Sequence, residues 1–260
     1  MLALLIIITP IFAFSSCSKD DDGNTNEKKG RRLLMVESHG DPETEDNYRI
    51  HYEYDDAGRL SGLITYTPSS GSATAWFTYD EHSLSWNYGD YSLKAFITDS
   101  RVKWLEPRGI YFTYDSNGRI QECVYENSDT QFVWDDDNIV KLIATCGEVT
   151  IKYTKLRGYD LVYQEAFNPL CVFGGQLNTY KSRDHFVYYT GLCGPFSKNL
   201  PSEMTWIANE NYATSYHRQA ILTYEYTTDS SGYPIGAVIR GVYDGGKSRS
   251  TEQTMTVTWE

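Results

Sequence analysis

Eight consecutive residues, Gly241-Val242-Tyr243-Asp244-Gly245-Gly246-Lys247-Ser248, fit the phosphate-cradling template G-x-x-x-x-G-K-[ST]. That chemistry needs a helix behind the loop, with its N-terminal amides aimed at phosphate. The segment that follows instead alternates Thr254, Thr256 and Thr258 with Met255, Val257 and Trp259, which is a strand pattern. The octapeptide therefore reads as a hairpin turn at Asp244-Gly245-Gly246. Histidines stand at 39, 51, 82, 185 and 217, none within H-E-x-x-H, and no G-x-S-x-G elbow exists. No catalytic residue and no cofactor are assigned, and the protein is expected not to be an enzyme. A polysaccharide or envelope-polymer hydrolase is kept as the alternative, because a carboxylate pair shows only in space.

Metal and sulfur chemistry are equally sparse. Asp135-Asp136-Asp137 and Asp41, Glu43, Glu45 and Asp46 lack the alternating ligands and glycine of a calcium loop, so they read as a turn and a solvated loop, with no metal. Besides Cys17 there are Cys123, Cys146, Cys171 and Cys193, with no C-x-x-C spacing for zinc. Four cysteines allow three pairings. Cys171 and Cys193 bracket an irregular stretch and form the candidate disulfide, worth roughly 3 kcal/mol in chain-entropy terms. The other reading is that all four are buried thiols. Trp76, Phe77, Tyr79, Trp86, Tyr88, Tyr91 and Trp104 crowd one segment, mostly as core or cross-strand pairs. Within it, a turn in Trp86-Asn87-Tyr88-Gly89-Asp90-Tyr91 would project Trp86, Tyr88 and Tyr91, the candidate ligand-binding residues for stacking on sugar rings.

The elements that carry these residues are strands. In Arg49-Ile50-His51-Tyr52-Glu53-Tyr54 the apolar and polar side chains alternate, as in a sheet with one buried face. Tyr54-Asp55-Asp56-Ala57-Gly58-Arg59-Leu60 is repeated at Tyr114-Asp115-Ser116-Asn117-Gly118-Arg119-Ile120. Looser copies start at Tyr79, Trp134 and Tyr226. Each unit predicts a hairpin: the Asp accepts backbone N–H groups, and the Gly supplies the positive φ of a G1-bulge turn. The aromatic before and the aliphatic after the turn would share a face. Turn spacing predicts about 15–20 strands of some six or seven residues. Residues 166–203 break the pattern with Pro169, Gly174-Gly175, Gly194-Pro195 and Pro201, and the stretch from His185 to Leu192 could form a short helix. Such an insertion is either a plug or a binding loop, and the plug is favoured.

Net charge is −12, so phosphate-neutralising nucleic-acid binding is excluded as a partner class. A content of 40% hydrophobic and 15% aromatic residues excludes wholesale disorder. Residues 33–260 are read as a single all-β domain, expected as a monomer. Residues 1–16 are apolar up to Phe14, too short for a comfortable transmembrane helix but suited to a secretory signal.

With Ser15-Ser16-Cys17 this resembles the lipobox of bacterial lipoproteins, where cleavage before the Cys exposes it for acylation. Phe14 stands where that family usually carries an aliphatic residue, and no Lys or Arg precedes the apolar run. The resemblance implies lipidation at Cys17 and a flexible charged tether over 17–32. The acidic run Asp20-Asp21-Asp22 resembles the surface-export signal of Bacteroidetes-type lipoproteins, implying an outer-membrane anchor and a cell-surface position.

The YD-type units resemble the hairpins of Rhs and teneurin shells. Together with Lys198-Asn199-Leu200-Pro201 and the segment from Tyr226 to Trp259, they more closely resemble a Bacteroidetes lipoprotein family with a domain of unknown function and a porin-like fold. This implies an antiparallel meander of short hairpin strands curled into a barrel-like sheet with one irregular insertion. Arg49, Glu53, Gln121 and Lys152 on the non-core faces argue for a soluble barrel rather than a spanning one. The expected function is a non-enzymatic binding or structural envelope protein with a possible glycan or envelope-protein ligand. A further alternative is an accessory protein docking on an outer-membrane transporter.

Overall fold

The computed structural model describes residues 31–40, 47–69, 71–107, 109–125, 128–164, 166–173, 186–209, 218–244 and 249–260. Sixteen strands follow one another and close into a single barrel. The first eight are β1 (Leu33–His39), β2 (Tyr48–Tyr54), β3 (Leu60–Thr67), β4 (Gly71–Tyr79), β5 (Ser83–Tyr88), β6 (Tyr91–Thr98), β7 (Arg101–Glu106) and β8 (Ile110–Tyr114). The second eight are β9 (Ile120–Tyr125), β10 (Ser128–Asp135), β11 (Asn138–Ala144), β12 (Gly147–Arg157), β13 (Asn199–Ala208), β14 (Gln219–Thr228), β15 (Pro234–Asp244) and β16 (Arg249–Trp259). Antiparallel pairing of β1 with β16, Val36 facing Val257, closes the ring. The expected all-β barrel is thus the observed fold, although β12 to β16 run to 10 or 11 residues, longer than their turn spacing implied.

Alternation along each strand sorts side chains between lumen and exterior. Ile50, Tyr52, Leu63, Ala75, Phe77, Leu84 and Trp86 share the inner face of β2 to β5 through their register and are buried. Arg49, His51 and Trp76 point outward from the same strands. Charges on the outer face pair across strands: Arg49 with Glu37 at 2.5 Å, Lys141 with Glu148 at 2.6 Å, Lys152 with Glu203 at 2.8 Å. Arg240 reaches both Glu225 and Glu252 at 2.8 Å. Facing hydrocarbon, each buried Lys or Arg near mid-height would cost about 2–4 kcal/mol. The described outer wall thus carries cross-strand ion pairs alongside its exposed apolar residues.

A closed sheet of sixteen strands encloses a lumen wider than its own side chains can fill. The insertion between β12 and β13 fills it. A 3-10 turn (Tyr159–Tyr163), α1 (Pro169–Val172) and α2 (Phe186–Tyr189) bury Leu161, Leu170, Phe173, Val187 and Tyr188 almost completely. Wall residues hold it from several sides. Tyr52 donates its hydroxyl to Gln164 Oε1, and Tyr224 donates to the Ala166 carbonyl at 3.1 Å. Tyr88 meets Phe186 edge-on at 5.2 Å, and Phe112 meets Tyr188 at 6.2 Å. The amide of Val102 on β7 donates to the Leu192 carbonyl at 2.9 Å. The insertion is therefore a plug. Its predicted helix is only the four residues of α2, and His185 and Gly174-Gly175 lie outside the described residues.

Candidate functional site

Odd-numbered strands begin at one rim of the barrel and even-numbered strands end there. This near rim carries the YD-type turns, both ends of the plug, and the point where Glu260 N donates to the Arg32 carbonyl at 2.9 Å. The sequence repeat acts here as a latch. Tyr54, Tyr79 and Tyr114 donate their hydroxyls to the carbonyls of Leu33, Leu60 and Val102, at the start of the preceding strand. Tyr153 and Tyr226 donate theirs to Ile139 and Pro201, and Trp134 and Trp259 donate the indole N–H to the carbonyls of Ile120 and Pro234. Burial pushes the hydroxyls of Tyr54, Tyr79, Tyr114, Tyr153 and Tyr226 far above the usual phenol range, so each stays a donor. At β6 no aromatic serves, and the Ile97 amide donates to the His82 carbonyl instead.

The turns themselves have the predicted form. Gly58 and Gly118 take φ of 80° and 74°, and their amides donate to the carbonyls of Asp55 and Asp115. Asp115 accepts from the Arg119 amide at 2.9 Å and from Arg119 Nε at 2.8 Å, and Asp55 accepts from Arg59 in the same way. In the looser copy at Asp229, where Tyr233 occupies the Arg position, Arg31 supplies the guanidinium at 2.5 Å. The turn arginines also cover the next latch: Arg59 lies over Tyr79 at 4.4 Å and Arg119 over Trp134 at 5.2 Å.

Slight burial raises the Asp55 and Asp115 carboxyls, but the hydrogen bonds from Arg59 and Arg119 outweigh it and hold both below the ordinary range. A lowered folded-state value means stability that is present above about pH 4 and lost as pH falls through the lowered value. Asp115→Asn is expected to cost about 0.5–1 kcal/mol at neutral pH, since water reaches the pair. Urea unfolding of mutant and wild type should converge as pH falls below the lowered Asp115 value. A difference that persists there would mean that the charge is not what the turn uses.

At the far rim the inner face changes character. Below it the lumen is lined by aliphatic and aromatic carbon; at the last inward positions stand Ser38, Tyr48, Thr65, Tyr88, Tyr91 and Tyr243. Tyr88 and Tyr91 face each other across the Gly89-Asp90 turn. Thr65 Oγ1 and the Tyr88 hydroxyl lie 3.3 Å apart, and Gln253 Nε2 donates to Ser38 Oγ at 2.5 Å. By register Arg249 of β16 is the strand partner of Tyr243 at this rim.

The three aromatics expected to project from the turn divide accordingly. Tyr91 is 51% exposed and Tyr88 is half-buried against the plug, whereas Trp86 is 0% exposed. Trp86 is thus core and not a ligand residue: two positions below Tyr88, it packs between the inward partners Phe77 and Leu93. The expected Cys171–Cys193 bridge is likewise absent. Both residues are buried thiols of the plug, and Cys193 sits beside Cys123 of β9 instead. Burial pushes the Cys123 thiol up to about 12, and burial followed by the Cys123 charge pushes Cys193 well up.

The remaining candidates are scattered. Gly241 to Asp244 end β15, which pairs antiparallel with β16, so no helix follows the phosphate template; residues 245–248 lie outside the described residues. Asp136 and Asp137 form the β10–β11 turn, and the Asp137 carbonyl accepts from the Lys198 amide at 2.9 Å. Residues 41–46 and Cys17 fall outside the described residues. On the outer wall Phe96, Trp104 and Tyr111 stack in a row at 4.6 and 6.1 Å, a feature the period-2 pattern contained but that only register reveals.

No protein-family model matches the chain, and no curated protein matches it. Among solved structures it is similar to a porin-like protein from Bacteroides uniformis, at 14% identity and a TM-score of 0.64, covering 88% of this chain and 96% of that one. It is also similar to a porin-like protein from Bacteroides vulgatus, at 12% identity and a TM-score of 0.50, covering 88% and 98%. At such identities the likeness is one of fold: this chain shares the barrel architecture of porin-like proteins from Bacteroides.

Proposed function

We propose that the protein is a lipid-tethered barrel of the outer envelope that binds a carbohydrate ligand and neither conducts nor catalyses. The observation that carries this reading is the inverted polarity of the barrel, with a plugged apolar lumen inside an ion-paired outer wall. A conducting pore has the opposite arrangement, a wet polar interior and an apolar band outside. The tether follows from Cys17 and its apolar leader, and it joins the body at Arg31 and Arg32 on the near rim. That leaves the far rim, with its tyrosines, as the end turned away from the membrane.

Metabolic labelling with an alkyne-tagged palmitate tests the tether. Wild type should take up label and Cys17→Ala should not. An unlabelled wild type would overturn the anchor, and protease protection of intact cells would move the protein to the periplasmic face.

A further inference from the structure

We propose that the outer wall binds a neutral sugar ring at Trp76, with the indole as the stacking face and the Glu53 carboxylate as the acceptor of its hydroxyls. This rests on the carbohydrate reading above and gives it a place outside the plugged lumen.

Register builds the site. Glu53 of β2 pairs with Gly62 of β3, Gly62 with Trp76 of β4, Trp76 with Asn87 of β5, and Asn87 with Ser92 of β6. One rung across five strands therefore carries a carboxylate, a bare backbone, an indole, an amide and a hydroxyl on the outer face. Gly62 is what lets the first three come together. A Cβ there would stand 2.8 Å from Trp76 Cζ3 and 3.1 Å from Glu53 Oε2, so the six-membered ring of the indole and the carboxylate meet in the space that a side chain would fill. Trp76 is nonetheless 52% exposed.

The other aromatics of this wall are already engaged. Phe96, Trp104 and Tyr111 stack on one another, and Lys94 Nζ covers Phe96 at 5.1 Å. Among the described residues, no ring or cation lies over Trp76, and neither its indole N–H nor the Glu53 carboxylate has a hydrogen-bond or ion-pair partner. Arg49, on the same face of β2, is taken by Glu37 at 2.5 Å.

The neighbours decide the ligand class. A sugar presents a C–H face for the indole and adjacent hydroxyls that can both donate to one carboxylate. Thr74 and Thr78 flank Trp76 on the outer face of β4, and Asn87 and Ser92 beside it are exposed. A lipid or an apolar protein partner needs a broad carbon surface, and this indole stands among polar side chains instead. An acidic polymer would meet Glu53 on a chain of net charge −12.

The test uses the full acylated chain in detergent on arrays of neutral gluco-, manno-, xylo- and galacto-oligosaccharides, with melting curves to show that each variant is folded. Wild type should bind one series. Trp76→Ala should weaken binding roughly tenfold or more, and Trp76→Tyr, which keeps a ring face, should weaken it less. Glu53→Gln, which keeps the shape and removes the charge, should weaken it roughly three- to tenfold. Tyr111→Ala, at an equally exposed ring of the same wall, should leave it alone.

Binding that survives Trp76→Ala and Glu53→Gln would overturn this site and keep the carbohydrate reading, and a fall with Tyr111→Ala instead would move the ligand along the wall. Loss in Trp76→Ala with Glu53→Gln unchanged would overturn the part given to the carboxylate. No binding to any array would sink the carbohydrate reading as well, leaving the palmitate label to decide the tether separately.

Discussion

Trp86→Ala should lower the unfolding free energy by about 3–5 kcal/mol, the usual cost of emptying a fully buried aromatic site. The indole is 0% exposed and packs on Phe77 at 6.2 Å, so little around it can move in to fill the gap. Urea denaturation followed by tryptophan fluorescence and far-ultraviolet circular dichroism measures this, with coincident transitions as the check that one unfolding step is being read. Ligand binding should be lost only in proportion to unfolding. A loss below about 1 kcal/mol, accompanied by weakened binding to the folded protein, would return Trp86 to the ligand-binding residues and overturn its assignment to the core.

Gly194→Ala should cost about 3 kcal/mol, and Gly191→Ala clearly less. The two glycines lie three residues apart where the plug leaves the lumen, with φ of 86° and 71°. Both substitutions force an L-residue into the left-handed region. Only at position 194 does the new Cβ also strike something, the Gly118 carbonyl oxygen at 2.7 Å, whereas nothing lies within 4 Å of a Cβ at 191. The Gly118 carbonyl cannot retreat easily, because Arg101 Nε donates to it at 2.8 Å. Paired urea midpoints of the two mutants measure the difference. Equal losses would mean that the turn yields and that the plug is not seated on the rim.

Much of this fold was legible in the residues, and the reasons are local. The YDxxGR units specify their turns through an Asp, a Gly and an Arg within five positions, so the sequence alone reports the hairpin. Repetition of such hairpins implies a meander, and alternation along each strand implies which of its faces is buried. The destination of each aromatic hydroxyl was not legible. Tyr79 bonds to Leu60 and Tyr153 to Ile139, and those carbonyls become neighbours only once the register is set. Tyr153 and Trp259 belong to the same series of latches without an Asp after them, so the repeat hid two of its members. Trp86 was misplaced for a related reason. The Gly89-Asp90 turn was read correctly, but alternation along β5 sends Leu84, Trp86 and Tyr88 inward together. The cysteines misled because bracketing along the chain says nothing about what stands opposite, and Cys193 faces the wall at Cys123.

The seam between β1 and β16 has the same antiparallel pairing as every other strand boundary, and a latch flanks it on either side, Trp259 holding Pro234 and Tyr54 holding Leu33. The start of the first strand and the end of the last meet there, where the Glu260 amide donates to the Arg32 carbonyl. Topologically the wall is a necklace of hairpins with no first bead. The order in which the ribosome delivers them is a matter of where the gene was opened, and a circularly permuted gene cut at another near-rim turn would encode the same ring of neighbours. What breaks that equivalence is the plug, which enters between β12 and β13 alone and so gives the ring its one fixed point.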